Sequence, residues 1–375
     1  MIGTKEGAPS LEAHFDDELE RLEAAGLLRA PRTMPPGALV LCSNDYLGLA
    51  EEPVVVPVDT RGGAGASRLI SGDHAAIVGA EASLADWVGA EAALLLSSGY
   101  AANVGCLSAL ASSSDVIVSD ELNHASIIDG CRLSRARVEV YPHLDLSAAA
   151  AALERHRDAR RRWLVTESYF SMDGDSPDLV AARRLCDETD TALVVDEAHA
   201  LGVFGSEGRG LCHREGIAPD VLVGTLGKAV GLAGAFVAGS TRLRRVLWNR
   251  ARSFVFSTGV SPWLAEAITD RTAHVRSDDA SRQRLAELSR RFREEVGEGA
   301  PVPPRSHGPI VPWMVGDSAS AVALSDALRA EGIVVAAIRP PTVPEGTARL
   351  RITLHARLSD HDLRRSVAAF CAHRR

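Results

Sequence analysis

Three short stretches of this 375-residue chain hold side chains whose types and spacing could do chemistry. Lys228 lies in Val223-Gly-Thr-Leu-Gly-Lys-Ala-Val-Gly-Leu-Ala-Gly, flanked by Gly224, Gly227, Gly231 and Gly234. Small residues let another group come close to the backbone. A lysine crowded into partly apolar surroundings loses its proton below the usual value of about 10.4, which is what a Schiff-base lysine requires. Taken alone the pattern is weak, because most lysines near glycines are simply solvated. Asp196, in Asp196-Glu-Ala-His199, ends the apolar run that starts at Ala192. A carboxylate at the end of a buried strand is costly without a cationic partner. Ser97-Ser98-Gly99-Tyr100 follows Ala92–Leu96 and opens a helical stretch. The free N–H groups and dipole of a helix start suit a phosphate, although an ordinary N-cap serine is the commoner reason for such a pattern.

Together the three carry more weight than any one of them. A phosphate cradle, a strand-end carboxylate and a glycine-flanked lysine, in that order, are what pyridoxal 5'-phosphate needs. The lysine would bind the aldehyde, and the carboxylate would keep the pyridine nitrogen protonated so that the ring accepts electrons. His199, three residues past Asp196, could reach the same ring. His124, in Leu122-Asn-His-Ala-Ser, could stack on it. No metal is called for. The letters Asp-Glu-Ala-His also occur in nucleic-acid helicases. A phosphate loop GxxxxGK[ST] would then be required, but Leu222 and Ala229 stand where it needs glycine and Ser or Thr.

The elements that must position these residues read as α/β. Strands are expected at Ala92–Ser97, Asp115–Ser119, Val138–Tyr141, Trp163–Glu167, Ala192–Asp196 and Val221–Thr225, with helices such as Leu146–Arg155 and Leu179–Asp187 between them. Alternating strand and helix implies a mainly parallel sheet covered on both faces, with ligands at the carboxyl ends of the strands. A helix is expected over Leu11–Leu28 and a short strand over Ala38–Cys42. Beyond residue 260 a long helical stretch, Pro262–Val296, precedes a compact α+β unit. That unit has strands Ile310–Val315, Ile333–Ile338 and Arg349–Leu354 and helices Ala319–Glu331 and Asp360–Ala372. The expected division is an N-terminal helical segment (1–42), a cofactor-binding large domain (43–275) and a smaller C-terminal domain (276–375).

Composition narrows the function classes. Apolar residues make up 46% and charged residues 24%, ordinary for a globular protein, and the net charge of −8 gives no general attraction for nucleic acid. Six scattered cysteines without a CxxC pair read as reduced thiols of a cytoplasmic protein. No run approaches the roughly 18 apolar residues of a membrane helix. The basic run Arg155–Arg162 reads as a solvated helix end.

The chain also resembles the α-oxoamine synthases. The resemblance runs from Ser43-Asn-Asp-Tyr-Leu-Gly-Leu to Arg349-Leu-Arg-Ile-Thr-Leu. It includes Gly65-Ala-Ser-Arg-Leu-Ile-Ser-Gly, Thr166-Glu-Ser-Tyr-Phe-Ser-Met-Asp-Gly-Asp, Asp196-Glu-Ala-His, Thr225-Leu-Gly-Lys and the long stretch Ala337–Arg351. That last stretch marks the branch serving biotin biosynthesis. The resemblance implies the aspartate-aminotransferase-like fold (fold type I of the pyridoxal-phosphate enzymes) and a homodimer. It also implies condensation of L-alanine with pimeloyl-CoA, or a pimeloyl-carrier thioester, with loss of CO2. It makes Lys228 the cofactor lysine and α-proton base, Asp196 the pyridinium partner, and His199 and Ser171 contacts of the ring hydroxyl. His124 would stack on the ring. Thr225, Ser98 and the amides of Gly99 and Tyr100 would hold the phosphate. Arg349 would grip the amino-acid carboxylate, and Arg29, Asn44, Ser67 and Thr342 would contact substrate. The segments Arg29–Ser43 and Leu49–Gly62 are shorter than is usual in the family. The rivals are glycine C-acetyltransferase, 5-aminolevulinate synthase and, further off, an aminotransferase of the same fold.

Overall fold

The computed structural model describes residues 10–25, 27–28, 31 and 33–374. The chain divides into one unit up to Ala38 and a second from Leu39 onward. In the first, a helix spans Leu11–Ala24, and the Ser10 hydroxyl caps it by accepting from the Ala13 amide at 3.2 Å. It stops short of the expected Leu28. The Leu27 and Leu28 amides both turn back to the Leu22 carbonyl, at 2.7 and 3.1 Å, and so close the helix end.

The second unit begins with the short strand β1 (Leu39–Val40). It continues through β2 (Ala92–Leu96), β3 (Val116–Asp120), β4 (Arg137–Tyr141), β5 (Arg162–Glu167), β6 (Ala192–Asp196), β7 (Val221–Thr225) and β8 (Ala235–Gly239). Strands β2 to β8 form one sheet in the order β2-β8-β7-β6-β5-β3-β4, parallel except for β8, which runs against both neighbours. Side chains alternate between two apolar layers. Val116, Val118, Leu164, Leu193, Val195 and Phe236 join one core cluster, and Ile117, Val165, Val194, Ala235 and Val237 join the other. Burial on both faces is why these strands read as unbroken apolar runs and not as alternating ones. Strand β8 escaped the sequence reading because it follows the glycine-rich stretch; Gly234, at φ +99°, turns the chain back into it.

Three more strands, β9 (Ile310–Gly316), β11 (Ala336–Ile338) and β12 (Ala348–Thr353), form an antiparallel sheet in the order β11-β12-β9; β10 (Ile333–Val334) pairs with β1. The expected single strand Ile333–Ile338 is thus two, because its halves serve different sheets. The expected stretch Pro262–Val296 is also two helices, Pro262–Ser277 and Asp279–Val296. Asp278 lies between them and caps the second, its carboxylate accepting from the Ser281 amide at 3.0 Å. At the carboxyl edge of the large sheet, Asp120, Glu167, Asp196 and Thr225 end β3, β5, β6 and β7. This edge is where a parallel sheet presents its ligand site.

Candidate active site

Parallel pairing sets Glu167 opposite Asp196 on adjacent strands, and Asp196 opposite Val223. Two carboxylates therefore meet at a buried strand edge. Asp196 is satisfied locally: Oδ2 accepts from the Asn103 amide at 2.7 Å and Oδ1 from the Ala198 backbone at 2.8 Å. Glu167 accepts the His124 backbone amide at 2.7 Å. Burial and the charge of Asp196 push its carboxyl above the usual range, with Lys228 opposing. Burial pulls the Lys228 amine below the lysine value; Arg351 adds to this, while Asp196 and Glu167 resist it. A lysine whose proton leaves easily is a competent carbonyl nucleophile and base. The chemistry expected of Lys228 therefore has its physical condition in place.

His199 is buried at 5% exposure, with Nδ1 2.6 Å from the Tyr46 hydroxyl. Burial, then the positive charges of Lys228 and Arg351, hold it well below the ordinary histidine value, so it is neutral. His124 caps the helix Ala125–Ser134. Its Nδ1 lies 2.7 Å from the Ser126 hydroxyl, and the Ser126 hydroxyl in turn accepts from the Asn103 amide at 3.0 Å. Asn103 thus ties the carboxylate of Asp196 to the residue that fixes the His124 ring. Burial lowers the pKa of His124 as well.

On the opposite side, Ser98 caps the helix Gly99–Leu110, its hydroxyl accepting from the Ala101 amide at 3.1 Å. This leaves the first-turn amides of Gly99 and Tyr100 outside the helical ladder. A Cβ at Gly99 would lie 3.7 Å from Cβ and Oγ1 of Thr225, so the two meet with no side chain between them. The Tyr100 hydroxyl donates to Asp129. Amides at a helix start beside a threonine hydroxyl form a phosphate-sized anion site. With Asp196 and Lys228 they fit pyridoxal phosphate. Among the described residues no cluster of three His, Cys, Asp or Glu side chains could hold a metal ion.

The substrate side is built differently. Arg349 and Arg351 alternate along β12 and both reach the loop after β5. Arg349 pairs with Asp173 and bonds the Met172 carbonyl at 3.4 Å, while Arg351 holds the Ser171 carbonyl. Arg351 also lies 2.9 Å from the Thr353 hydroxyl and 3.4 Å from that of Tyr46. Ser67 sits in a turn, its carbonyl accepting from Ile70 and Gly72. The turn is anchored by buried Arg68, which pairs with Asp73 and Glu81 and lies 4.8 Å from the Trp248 ring centre. Thr342 is exposed and follows the cis Pro340–Pro341 bond. Asn44 keeps a buried Oδ1 without a hydrogen-bond partner. Among the described residues no hydrogen bond joins Ser67 or Thr342 to the Asp196–Lys228 cluster. Arg29 lies outside the described residues.

Four residues of this constellation escaped the sequence reading as site residues: Tyr46, Asn103, Glu167 and Arg351. Two had a signal. Glu167 ends an apolar strand just as Asp196 does, and Arg351 stands two residues from Arg349, on the same strand face. Lysine count is a third signal: Lys228 is one of only two lysines, the other being Lys5, against 39 arginines.

Known proteins match along nearly the whole chain. The aminotransferase class I and II model matches residues 36–370. An 8-amino-7-oxononanoate synthase of Geobacter sulfurreducens is 44% identical over 376 aligned positions, covering 94% of this chain and 95% of that protein. One from Anaeromyxobacter sp. (strain Fw109-5) is 47% identical, covering 91% of each. Among solved structures, Sphingomonas wittichii serine palmitoyltransferase superposes with a TM-score of 0.88 at 27% identity, covering 97% of this chain and 98% of that one. An 8-amino-7-oxononanoate synthase from Francisella tularensis gives 0.75 at 26% identity, covering 90% and 98%. These matches bear out the fold expected from the sequence.

Proposed function

The chain belongs to the aminotransferase class I and II family, among relatives named 8-amino-7-oxononanoate synthase, and from that premise we propose that it condenses L-alanine with a pimeloyl thioester. The products are 8-amino-7-oxononanoate, CO2 and the free thiol, CoA or a carrier. The alanine Cα–H bond breaks, a bond forms from Cα to the acyl carbon, the C–S bond breaks with the sulfur leaving as the protonated thiol, and the original carboxyl leaves as CO2 with a proton taking its place on Cα.

Bound at the strand edge, pyridoxal phosphate supplies the electron sink for that Cα chemistry. Lys228 holds the cofactor aldehyde and moves the Cα proton, its depressed pKa keeping part of it neutral near pH 7. Asp196, fixed by Asn103 and the Ala198 amide, keeps the pyridine nitrogen protonated. Neutral His199 and Ser171 serve the ring hydroxyl, and His124 covers the ring. Ser98, Thr225 and the amides of Gly99 and Tyr100 receive the phosphate. Arg349 takes the amino-acid carboxylate, as a guanidinium fork suits. Asn44, Ser67, Thr342 and Arg29 complete the substrate side. The same reading includes a cytoplasmic homodimer and the division 1–42, 43–275 and 276–375; no helix among the described residues is long and apolar enough to cross a membrane.

The observation that carries this reading is the buried Asp196 carboxylate at the strand edge, whose charge acts on Lys228, in a chain 44% identical to a curated synthase. Ser67 favours alanine over the glycine of the rival enzymes, because a serine leaves room for a methyl group on Cα. The test is purified holoenzyme with L-alanine or glycine and a panel of acyl-CoAs. Alanine with pimeloyl-CoA should give the fastest CoA release. Faster turnover of glycine with acetyl-CoA would transfer the assignment to glycine C-acetyltransferase.

A further inference from the structure

A cavity of about 400 Å³ lies between the helix Asp279–Val296 and the loop that leads into β9. Four arginines (Arg214, Arg282, Arg290, Arg293) and His307 line it, with Phe204, Leu285 and Ala286 as apolar wall; among the described residues no acidic one does. None of its lining residues belongs to the Lys228 cluster. Its volume is within the usual range for small-molecule sites.

The arginines differ in how their charge is met. Arg282 pairs with Asp279, Arg290 with Glu287 and Glu294, and Arg214 with Glu215. Among the described residues no carboxylate pairs with Arg293. Its Nη1 donates to the carbonyls of Ser289 and Gly308, at 3.1 and 2.7 Å, and its Nη2 to the Ser306 hydroxyl and the Ile310 carbonyl, at 3.1 and 2.8 Å. The fifth donor, Nε, is buried without a partner. Burial lowers the pKa of Arg293, and Arg214 and Arg293 help to lower that of His307. A largely buried guanidinium without counter-charge is costly, and Arg293 lines a cavity in which three further arginines stand beside the apolar side chains of Phe204, Leu285 and Ala286. Arg214 lies 5.5 Å over the Phe204 ring at the same wall.

The space is preformed. The Tyr169 hydroxyl donates to the His307 carbonyl and accepts the Ile310 amide at 3.1 Å, and the His307 amide donates to the Gly174 carbonyl at 2.7 Å. Gly308, at φ +62°, has no room for a side chain: a Cβ there would stand 2.6 Å from the Phe204 ring.

We propose that this cavity binds an organic acid with one carboxylate head and a short apolar body. The head supplies the missing counter-charge beside Arg293 and Arg214, and the body lies against Phe204, Leu285 and Ala286. Calorimetric titration of the holoenzyme with octanoate tests it, with octan-1-ol and acetate as probes lacking the head or the body. Octanoate should bind one per chain, more tightly than either. Arg293→Met should weaken it tenfold or more. Arg214→Gln, at an exposed wall position, should weaken it severalfold, which keeps the test open if Arg293→Met does not fold. Absence of octanoate binding, equal binding of octan-1-ol, or affinity unchanged in both variants would overturn the proposal. So would binding lost in Arg349→Ala and kept in Arg293→Met, which would place octanoate in the Lys228 site. The readout is binding, so failure of the synthase assignment would leave it standing.

Discussion

The strand edge at β5–β7 and the loops around Ser67 and Thr342, both proposed to serve one reaction, are built on opposite terms. At the strand edge each functional group has a neighbour that fixes it: Asp196 has Asn103, His199 has Tyr46, His124 has Ser126, and Glu167 has the His124 amide. Backbone register, not side-chain choice, brings Glu167 beside Asp196. Around the loops, Thr342 is exposed and Ser67 is held only through its turn and the buried Arg68. The edge is preorganised for charge; the loops are held by turn geometry and the Arg68 ion pairs. The edge also brings together the shifted pKa values of Glu167, Lys228, His199 and His124, as chemical sites commonly do.

This difference orders the expected effects. Asp196→Asn removes the carboxylate proposed to keep the pyridine nitrogen protonated, and turnover should fall about 10²–10³-fold while cofactor still binds. Near-normal exchange of the alanine α-proton in that variant would remove Asp196 from the chemistry. Asn103→Ala leaves every contact residue in place but frees Asp196 and Ser126 together. A loss of roughly 10–100-fold is expected, as for other supporting hydrogen bonds. Its signature is an altered cofactor absorption band with an unchanged KM for pimeloyl-CoA, which a loss of fold alone would not produce. Ser67→Thr acts at the loop and should be milder. One methyl group discriminates by about 1–3 kcal/mol at most, so the alanine-to-glycine ratio of kcat/KM should drop without abolishing activity. A ratio that stays constant would free Ser67 of any role in the choice.

His143 ties the end of β3 to the loop after β5. Its ring lies between Asp120, at the end of β3, and Asp175, in the loop that carries Ser171 and Asp173, at 2.9 and 3.2 Å. Despite burial, the two carboxylates raise its pKa to about 10. A raised folded-state value stabilises the protonated form. The contribution is complete below the unfolded value of about 6.5 and is lost as pH climbs toward about 10. The melting-temperature gap between the native chain and His143→Gln should therefore be widest near pH 6 and shrink toward pH 10, with little effect on turnover. A gap that stays the same across this range would contradict the ion pairs.

What was legible in the sequence follows the same division. Asp196, Lys228 and the Ser98–Tyr100 turn were readable because each sits one step from an apolar strand. Strand ends and glycines are local signals. Tyr46 and Asn103 were not readable: they reach His199 and Asp196 from 153 and 93 positions away, and no local pattern marks such a partner. The split at Val335 was missed because its two halves pair with different strands, and the break at Asp278 because a single capping aspartate interrupts an otherwise continuous helical pattern.

The central claim is that Lys228 holds the cofactor, and the chain's composition makes it unusually easy to test. With Lys5 the only other lysine, borohydride reduction of the holoenzyme followed by peptide mapping has two possible side-chain answers. The account predicts cofactor fixed at residue 228, with both label and turnover lost in Lys228→Ala. Label on a peptide lacking residue 228, or a Lys228→Ala variant that is still labelled and active, would contradict it.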